Sequence, residues 1–508
     1  MSQPTTSAPV SAPSNVTAPE DRVPIPQKIG YGLGTVLDMW GHWLYPTLVN
    51  QVFNIGLGLS PALASTAIML NRVFDAFSDP LFGWWSDNTR TRFGRRRPFM
   101  LVGSLIAGIC LPLLFWVHPG WSQSAYFWFM VVSSAIYIPV MSCFYMPYVS
   151  LGAELTPDYH ERTSVMSYKY AVQKFPELGL FFAAQFTTMA IWVGANSTNV
   201  GARVLHLFTS LNAWGPAPAG TKPNILLAAQ VYCGILGLLM VVAGIVLFLT
   251  VRERYYDKLV VGKQERLGLV ASIKQTATCK PFLLLIGMRL AYGMGLSMVG
   301  TLGYYDTVYY VCRGDLAAGA GWNFWMGVSG MVLGFAGIPT FTAVAHRLGK
   351  RHGMRAVMLT AIGVFVGTWW FYDPLRPWLQ PLASGFIAFT GAGFWTLDGS
   401  MLADVIDYDE LQTGQRREGV FASAASWIMK CGMALGAGTA GFILASTGFD
   451  VALEGNQTEH ALFMMRFLLA LIPIIGLCLA LWALTKFPLT HAVMIDIRQK
   501  LEARRGKV

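Results

Sequence analysis

Charge is scarce in this sequence. Of its 508 residues, 13% are Asp, Glu, Lys or Arg and 54% are hydrophobic. A soluble domain carries about 25% charged residues, so a water-soluble globular enzyme or binding module is excluded. Paired cysteines are lacking as well. The seven present, Cys110, Cys143, Cys233, Cys279, Cys312, Cys431 and Cys478, are scattered and show no metal-ligand spacing. They read as small apolar fillers, which leaves neither a disulfide framework nor a zinc site. The stretch from Met1 to Gln27 lacks a basic segment leading into an apolar core and is rich in Ser, Pro, Thr and Ala. It reads as a disordered tail, residues 1–28, and not as a cleaved signal peptide.

What the sequence has is apolar runs long enough to cross a bilayer, which takes about 20 residues. They fall near 29–53, 62–85, 99–117, 124–150, 165–193, 225–250, 282–311, 320–345, 354–372, 378–403, 419–446 and 460–486. This predicts an all-α polytopic membrane protein with twelve transmembrane helices. The net charge of +10 could suggest nucleic acid, but its placement decides otherwise. Most of the 37 Lys and Arg lie in the tails and even-numbered connections, whereas the odd-numbered ones hold four, Arg203, Lys222, Arg313 and Arg376. By the positive-inside rule both termini are cytoplasmic, the charge is a topology signal, and the partner is the lipid bilayer of the cell membrane, not nucleic acid.

The basic loop after span 2, Arg92-Phe-Gly-Arg-Arg-Arg97, is echoed after span 8 by His346-Arg-Leu-Gly-Lys-Arg351. A parallel repeat of six helices accounts for that spacing. The expected layout is an N-terminal half at 29–250, a basic linker at 251–281, a C-terminal half at 282–487 and a basic tail at 488–508. The connection from 194 to 224 is long and external, either a lid or a tolerated insertion.

The chain is organised around Asn71 to Pro98. Arg72, Asp75 and Asp79 sit at i, i+3 and i+7, so they project from one helix face. A charge at mid-bilayer costs about 2.5 to 3.5 kcal/mol, so the acids must face an interior cavity and meet something positive there. Pro80 cannot donate to the Ala76 carbonyl, which leaves a backbone oxygen beside two carboxylates and the Ser78 hydroxyl. Such an oxygen-rich pocket suits a hard cation or a proton. The plainer alternative is a structural Arg72–Asp75 pair with Asp79 at a kink.

Span 1 places Asp38 among Trp40, His42, Trp43 and Tyr45. An acid beside aromatic rings suits a sugar, whose hydroxyls want a charged acceptor and whose ring faces pack on aromatics. His42 reads as a packing residue. Span 4 brings Ser142 and Tyr145, and span 5 a Lys174–Glu177 pair at i, i+3. In the second half stand Arg289, Asp306, Trp395, Asp398, Arg466 and, in span 11, Lys430. Lys430 is the natural positive partner for the carboxylates of spans 1 and 2. Asp38, Asp75 and Asp79 against Arg72 and Lys430 leave one excess negative charge, which one monovalent cation would neutralise; a balanced cavity crosses a low-dielectric barrier more readily.

Three stretches carry a family resemblance: Tyr31-Gly-Leu-Gly34 with Asp38, Asp75-Ala-Phe-Ser-Asp-Pro80 with Asn88-Thr-Arg-Thr-Arg-Phe-Gly94, and Ala403-Asp-Val-Ile-Asp-Tyr408 with Lys430. From Gly30 to about Phe487 the chain resembles the glycoside-pentoside-hexuronide:cation symporters of the major facilitator superfamily. The resemblance implies that superfamily's fold and a non-enzymatic function, symport of a sugar or glycoside with sodium, lithium or a proton and no further cofactor. It implies that Asp75 and Asp79, with Ser78 and Ser142, bind the cation. Asp38, Arg72, Trp395, Tyr145 and Lys430 would serve the sugar site. Tyr145 replaces the helix IV aspartate with which the melibiose permease recognises galactosides, which argues against that substrate.

Two readings compete. The acids Asp75 and Asp79, with Asp404, Asp407 and Asp409, superficially resemble the Asp-rich magnesium motifs of membrane prenyltransferases. Against this, the first pair is deep, Pro80 interrupts it, and Arg416 and Arg417 lie beside the second. The other is a non-transporting sugar sensor of the same fold.

Overall fold

The computed structural model describes residues 22–89, 91–155, 159–218, 221–253, 279–413 and 418–505. The tail expected at 1–28 and the linker at 251–281 lie largely outside these residues. Within them the structure is helical, with only isolated β-bridges such as Val193 to Pro223. That follows from the composition, because in lipid every backbone N–H and C=O must be bonded internally.

The long helices, in chain order, are α1 (Ile25–Met39), α2 (Pro61–Asn88), α3 (Arg97–Cys110), α4 (Gln123–Glu154), α5 (Tyr159–Thr187) and α6 (Ile225–Thr250). Then follow α7 (Lys280–Tyr305), α8 (Leu316–Leu348), α9 (Lys350–Phe371), α10 (Leu379–Thr413), α11 (Glu418–Ser446), α12 (Glu459–Lys486) and the short α13 (His491–Arg505). π-helical turns extend α1 through Trp40–Leu44 and Asn50–Gly56, and α7 through Asp306–Val311.

Among the described residues, eight helices are long and apolar enough to cross a membrane, fewer than the twelve expected. Those that fall short are α1 with its π-helical extension, α2, α5 and α10. They match the others in length but carry Asp38, Arg72, Asp75, Asp79, Lys169, Lys174, Glu177 and Asp398. Their buried charge lowers the hydropathy.

Helix starts are set locally and differently at the two ends. At the end farthest from the start of α1, the side chains of Ser60, Ser122, Asn224, Asp315 and Thr458 accept backbone N–H groups and cap α2, α4, α6, α8 and α12. At the near end, α1, α3 and α7 begin with Pro in the first turn and no side-chain cap, whereas α2 has both Ser60 and Pro61. There Glu253 accepts the N–H groups of Arg95, Arg96 and Arg97 at 2.9, 2.7 and 3.1 Å, placing a carboxylate on the N-terminus of α3.

Packing partners repeat at an interval of six in helix order. The pairs α2–α4, α3–α4, α3–α6 and α1–α5 recur as α8–α10, α9–α10, α9–α12 and α7–α11. Across the two groups, α2 packs on α11 and α5 on α8, again equivalent pairs. The echo between the basic loops has a backbone counterpart. Gly94 and Gly349 both adopt positive φ, +105° and +85°, just before α3 and α9. One large apolar cluster draws its buried residues from Val23 to Val251 and another from Phe282 to Leu501.

The groups meet closely at the far end. A Cβ on Gly441 of α11 would collide with the carbonyl of Pro61 and the side chain of Ser65. Tyr305 donates to the Asn54 side chain, linking the C-terminal end of α7 to the extension of α1. The 194–224 connection folds there as a helix at Val200–Thr209, tied down where Arg203 donates to the carbonyls of Ile191 and Val193.

Candidate functional site

Midway along α2 the expected charged face is buried. Asp75 and Asp79 lie one helical turn apart and are nearly inaccessible. Lys430, reaching across from α11, places its ammonium 3.2 Å from Asp75 Oδ2 and donates to Asp79 Oδ2. Arg72 Nη1 stands 3.9 Å from the same Asp75 oxygen and its guanidinium lies over the Trp43 ring, 4.8 Å from the centroid. The remaining carboxylate oxygens, Asp75 Oδ1 and Asp79 Oδ1, are buried without a hydrogen-bond partner. Beside them the Ser78 and Ser142 hydroxyls are bonded at 2.7 Å, joining α2 to α4. Two orphaned anionic oxygens and two hydroxyls form a donor set that fits a small hard cation. α2 continues unbroken through Pro80.

Asp38 has its own surroundings on α1. His42 Nδ1 lies 3.3 Å from Asp38 Oδ1, and its ring meets Tyr145 edge-on at 5.0 Å. Lys169 of α5 sits over the Tyr148 ring, within electrostatic reach of Asp38. Tyr31 and Tyr148 stack at 4.7 Å behind them. The result is a polar patch walled by aromatic rings, able to receive hydroxyl groups.

Residues 27–491 match the model of the family described as MFS/sugar transport protein. The chain belongs to this family. Its members are transporters and not enzymes, and this chain is accordingly a multi-pass membrane protein. An uncharacterized symporter of Synechocystis is 27% identical, over 88% of this chain and 91% of the relative. The isoprimeverose transporter of Lactiplantibacillus pentosus is 24% identical, over 97% and 95%. The crystal structure of a D-xylose-proton symporter superposes with a TM-score of 0.56 at 12% identity, covering 91% of this chain and 96% of the other, a likeness of fold. The resemblance to the glycoside-pentoside-hexuronide:cation symporters is borne out.

Within this family member the structure brings together Arg72, Asp75, Ser78, Asp79, Ser142 and Lys430, with Asp38 and Tyr145 nearby. Trp395 is placed differently. It is 42% exposed and its ring neighbours are Tyr292 and Phe394, in the C-terminal group. Lys174 and Glu177 do pair, at 2.7 Å. Lys169, absent from the expected charge count, lies within electrostatic reach of Asp38; with it, three negative and three positive groups stand in or beside the site. His42, expected only to pack, is paired with Asp38, and the i, i+4 spacing carries that signal. Asn71, one turn before Asp75, also presents a buried oxygen without a partner. Of the acidic run, Asp404 is held by Lys350 at 2.6 Å, while Arg416 and Arg417 lie outside the described residues.

Proposed function

We propose that this chain is a cation-coupled symporter of a sugar or glycoside, with twelve spanning helices in two six-helix halves and both termini cytoplasmic. The observation that carries the reading is the Lys430 ammonium held between Asp75 and Asp79. It ties the halves together at the point where a monovalent cation would bind, so cation and lysine compete for the same oxygens. Because the cavity is already balanced, an arriving sodium ion or proton displaces Lys430 instead of filling a deficit. The released ammonium then becomes a donor for solute hydroxyls, alongside Asp38, Tyr145, His42 and Lys169. Arg72 holds Asp75 in place, and Trp395 offers an aromatic face from the other half.

Coupling follows from this exchange. Without the cation, Lys430 remains on the carboxylates and the solute lacks a donor; with both bound, the halves are free to rock about the site. The close contacts between α2 and α11 run from Gly441 at the far end to Lys430 at mid-helix, which supports a state closed at that end. The names of the relatives, an isoprimeverose transporter and a glucuronide carrier homolog among them, support a pentose-containing or hexuronide glycoside.

The test is thermal unfolding of the purified protein against glycosides, pentosides and hexuronates, with and without sodium, at two pH values. A ligand that binds only the folded state raises its stability by mass action. One sugar should act, and more strongly with the coupling ion. Silence from every sugar under every condition overturns the reading, and binding without accumulation in proteoliposomes replaces it with a sensor.

A further inference from the structure

A second buried acid lies far from the cation pocket, at the closed end. Asp306 opens the π-helical segment Asp306–Val311 and its exposure is 0%. Neither of its carboxyl oxygens has a hydrogen-bond partner, and it forms no ion pair with any described residue. By contrast, Asp75, Asp79, Asp398 and Asp404 each touch a cation. The charge nearest in effect is Arg466 of α12, whose field reaches Asp306 without a direct bond. Its guanidinium is engaged elsewhere: Nη1 donates to Tyr310 Oη at 2.8 Å and Nη2 to the Trp369 carbonyl at 2.7 Å. Both rings lie against it, with centroids 4.2 and 4.3 Å away. Its Nε is buried and free. Tyr372, just after α9, lies within electrostatic reach of Asp306, and the titratable groups beside it in its own helix and just after it are Tyr304, Tyr305, Tyr309, Tyr310 and Cys312. The polar neighbour Thr307 is occupied by Gln380 of α10 and the Gly303 carbonyl.

An ionised carboxylate in such a place, bonded to nothing, is strongly disfavoured against its neutral form. We propose that Asp306 is a proton-binding site, protonated while the far end is closed and deprotonated when that end opens. The neighbouring residue supplies the link, since Tyr305 makes the buried hydrogen bond to Asn54 that joins the two groups of helices. Opening the far end breaks that bond and admits water. The O–H bond of Asp306 then breaks, its proton passes to water on that side, and the carboxylate gains the free Arg466 Nε as partner. Closing reverses both steps. On the outward placement of the far end proposed above, Asp306 makes that gate responsive to external pH, independently of the ion proposed at Asp75 and Asp79.

The test needs no transported solute. Infrared difference spectra of the purified full chain, wild type minus Asp306→Asn, are recorded at neutral pH in H2O and D2O. A protonated-carboxyl carbonyl band present in wild type, shifted in D2O and lost in the variant, is the expected result. Its absence from wild type, or its persistence in the variant, overturns the proposal. The uncharged amide introduced by D306N mimics the neutral acid, so this variant should unfold at the wild-type temperature or above. A variant that fails to fold would show that the structure needs the charged form, which also overturns it.

Discussion

Two buried ion clusters in this molecule look alike and do different work. Arg289 of α7 donates to Asp398 of α10, both within the C-terminal group. Lys430 of α11 serves Asp75 and Asp79 of α2, in the other group. The first is one cation for one anion between helices that stay packed together. The second is one ammonium shared by two carboxylates across the surface between the two groups, which has to open on the proposed transport cycle. On the proposed transport cycle the pair within one half is structural, whereas the shared charge between halves can be traded for a ligand.

The largest test of this contrast is Arg289→Ala. It leaves Asp398 buried without its cation, which costs about 3 to 5 kcal/mol. The unfolding temperature in detergent should fall steeply, with or without coupling ion, and Arg289→Ala/Asp398→Ala should recover most of the loss. Lys430→Gln keeps a hydrogen-bond donor at Asp79 and leaves Arg72 beside Asp75, so it should cost less, about 2 kcal/mol, the worth of a charged hydrogen bond. Here the loss should be reversible by ligand. Sodium or a lower pH should stabilise Lys430→Gln more than it stabilises wild type. Equal stabilisation would remove the competition between lysine and cation.

Gly441→Ala probes the surface between the groups without touching charge. A methyl driven into the Pro61 carbonyl forces α2 and α11 apart at a cost of about 1 to 3 kcal/mol. Hydrogen exchange near residues 57–61 and 447–458 should quicken while the Arg289–Asp398 region keeps its protection. The smallest effect is expected from Ser142→Ala, which deletes one hydroxyl of the proposed cation pocket. Roughly fivefold weaker cation dependence of solute binding, about 1 kcal/mol, should appear with only a small fall in unfolding temperature from the lost bond to Ser78. A loss as large as that of Lys430→Gln would mean that Ser142 holds the helices together instead of holding the ion.

Much of the candidate site is legible in the sequence because it is local. Arg72, Asp75 and Asp79 share a face by helical periodicity, and Lys174 finds Glu177 one turn away. Lys430 can be named as the partner because an intramembrane lysine needs an anion. Lys169 is not legible, since its relation to Asp38 depends on how α5 packs against α1. Trp395 is assigned by family resemblance, yet its ring neighbours in this structure are Tyr292 and Phe394. Glu253 gives no sign in sequence that it caps α3, because the residues it joins are 156 to 158 positions away.

By itself the sequence determined that the chain is helical, membrane-embedded and built on a repeated pattern. Hydropathy, capping residues and charge placement act over a few residues, and lipid allows few alternatives to a helix. Only the tertiary structure decided which charges meet. Lys430 reaches Asp79 across 351 positions, Arg289 takes Asp398, and Asp306 is left with no bonded partner. Those outcomes depend on helix rotation and spacing, which long-range packing sets and no local pattern records.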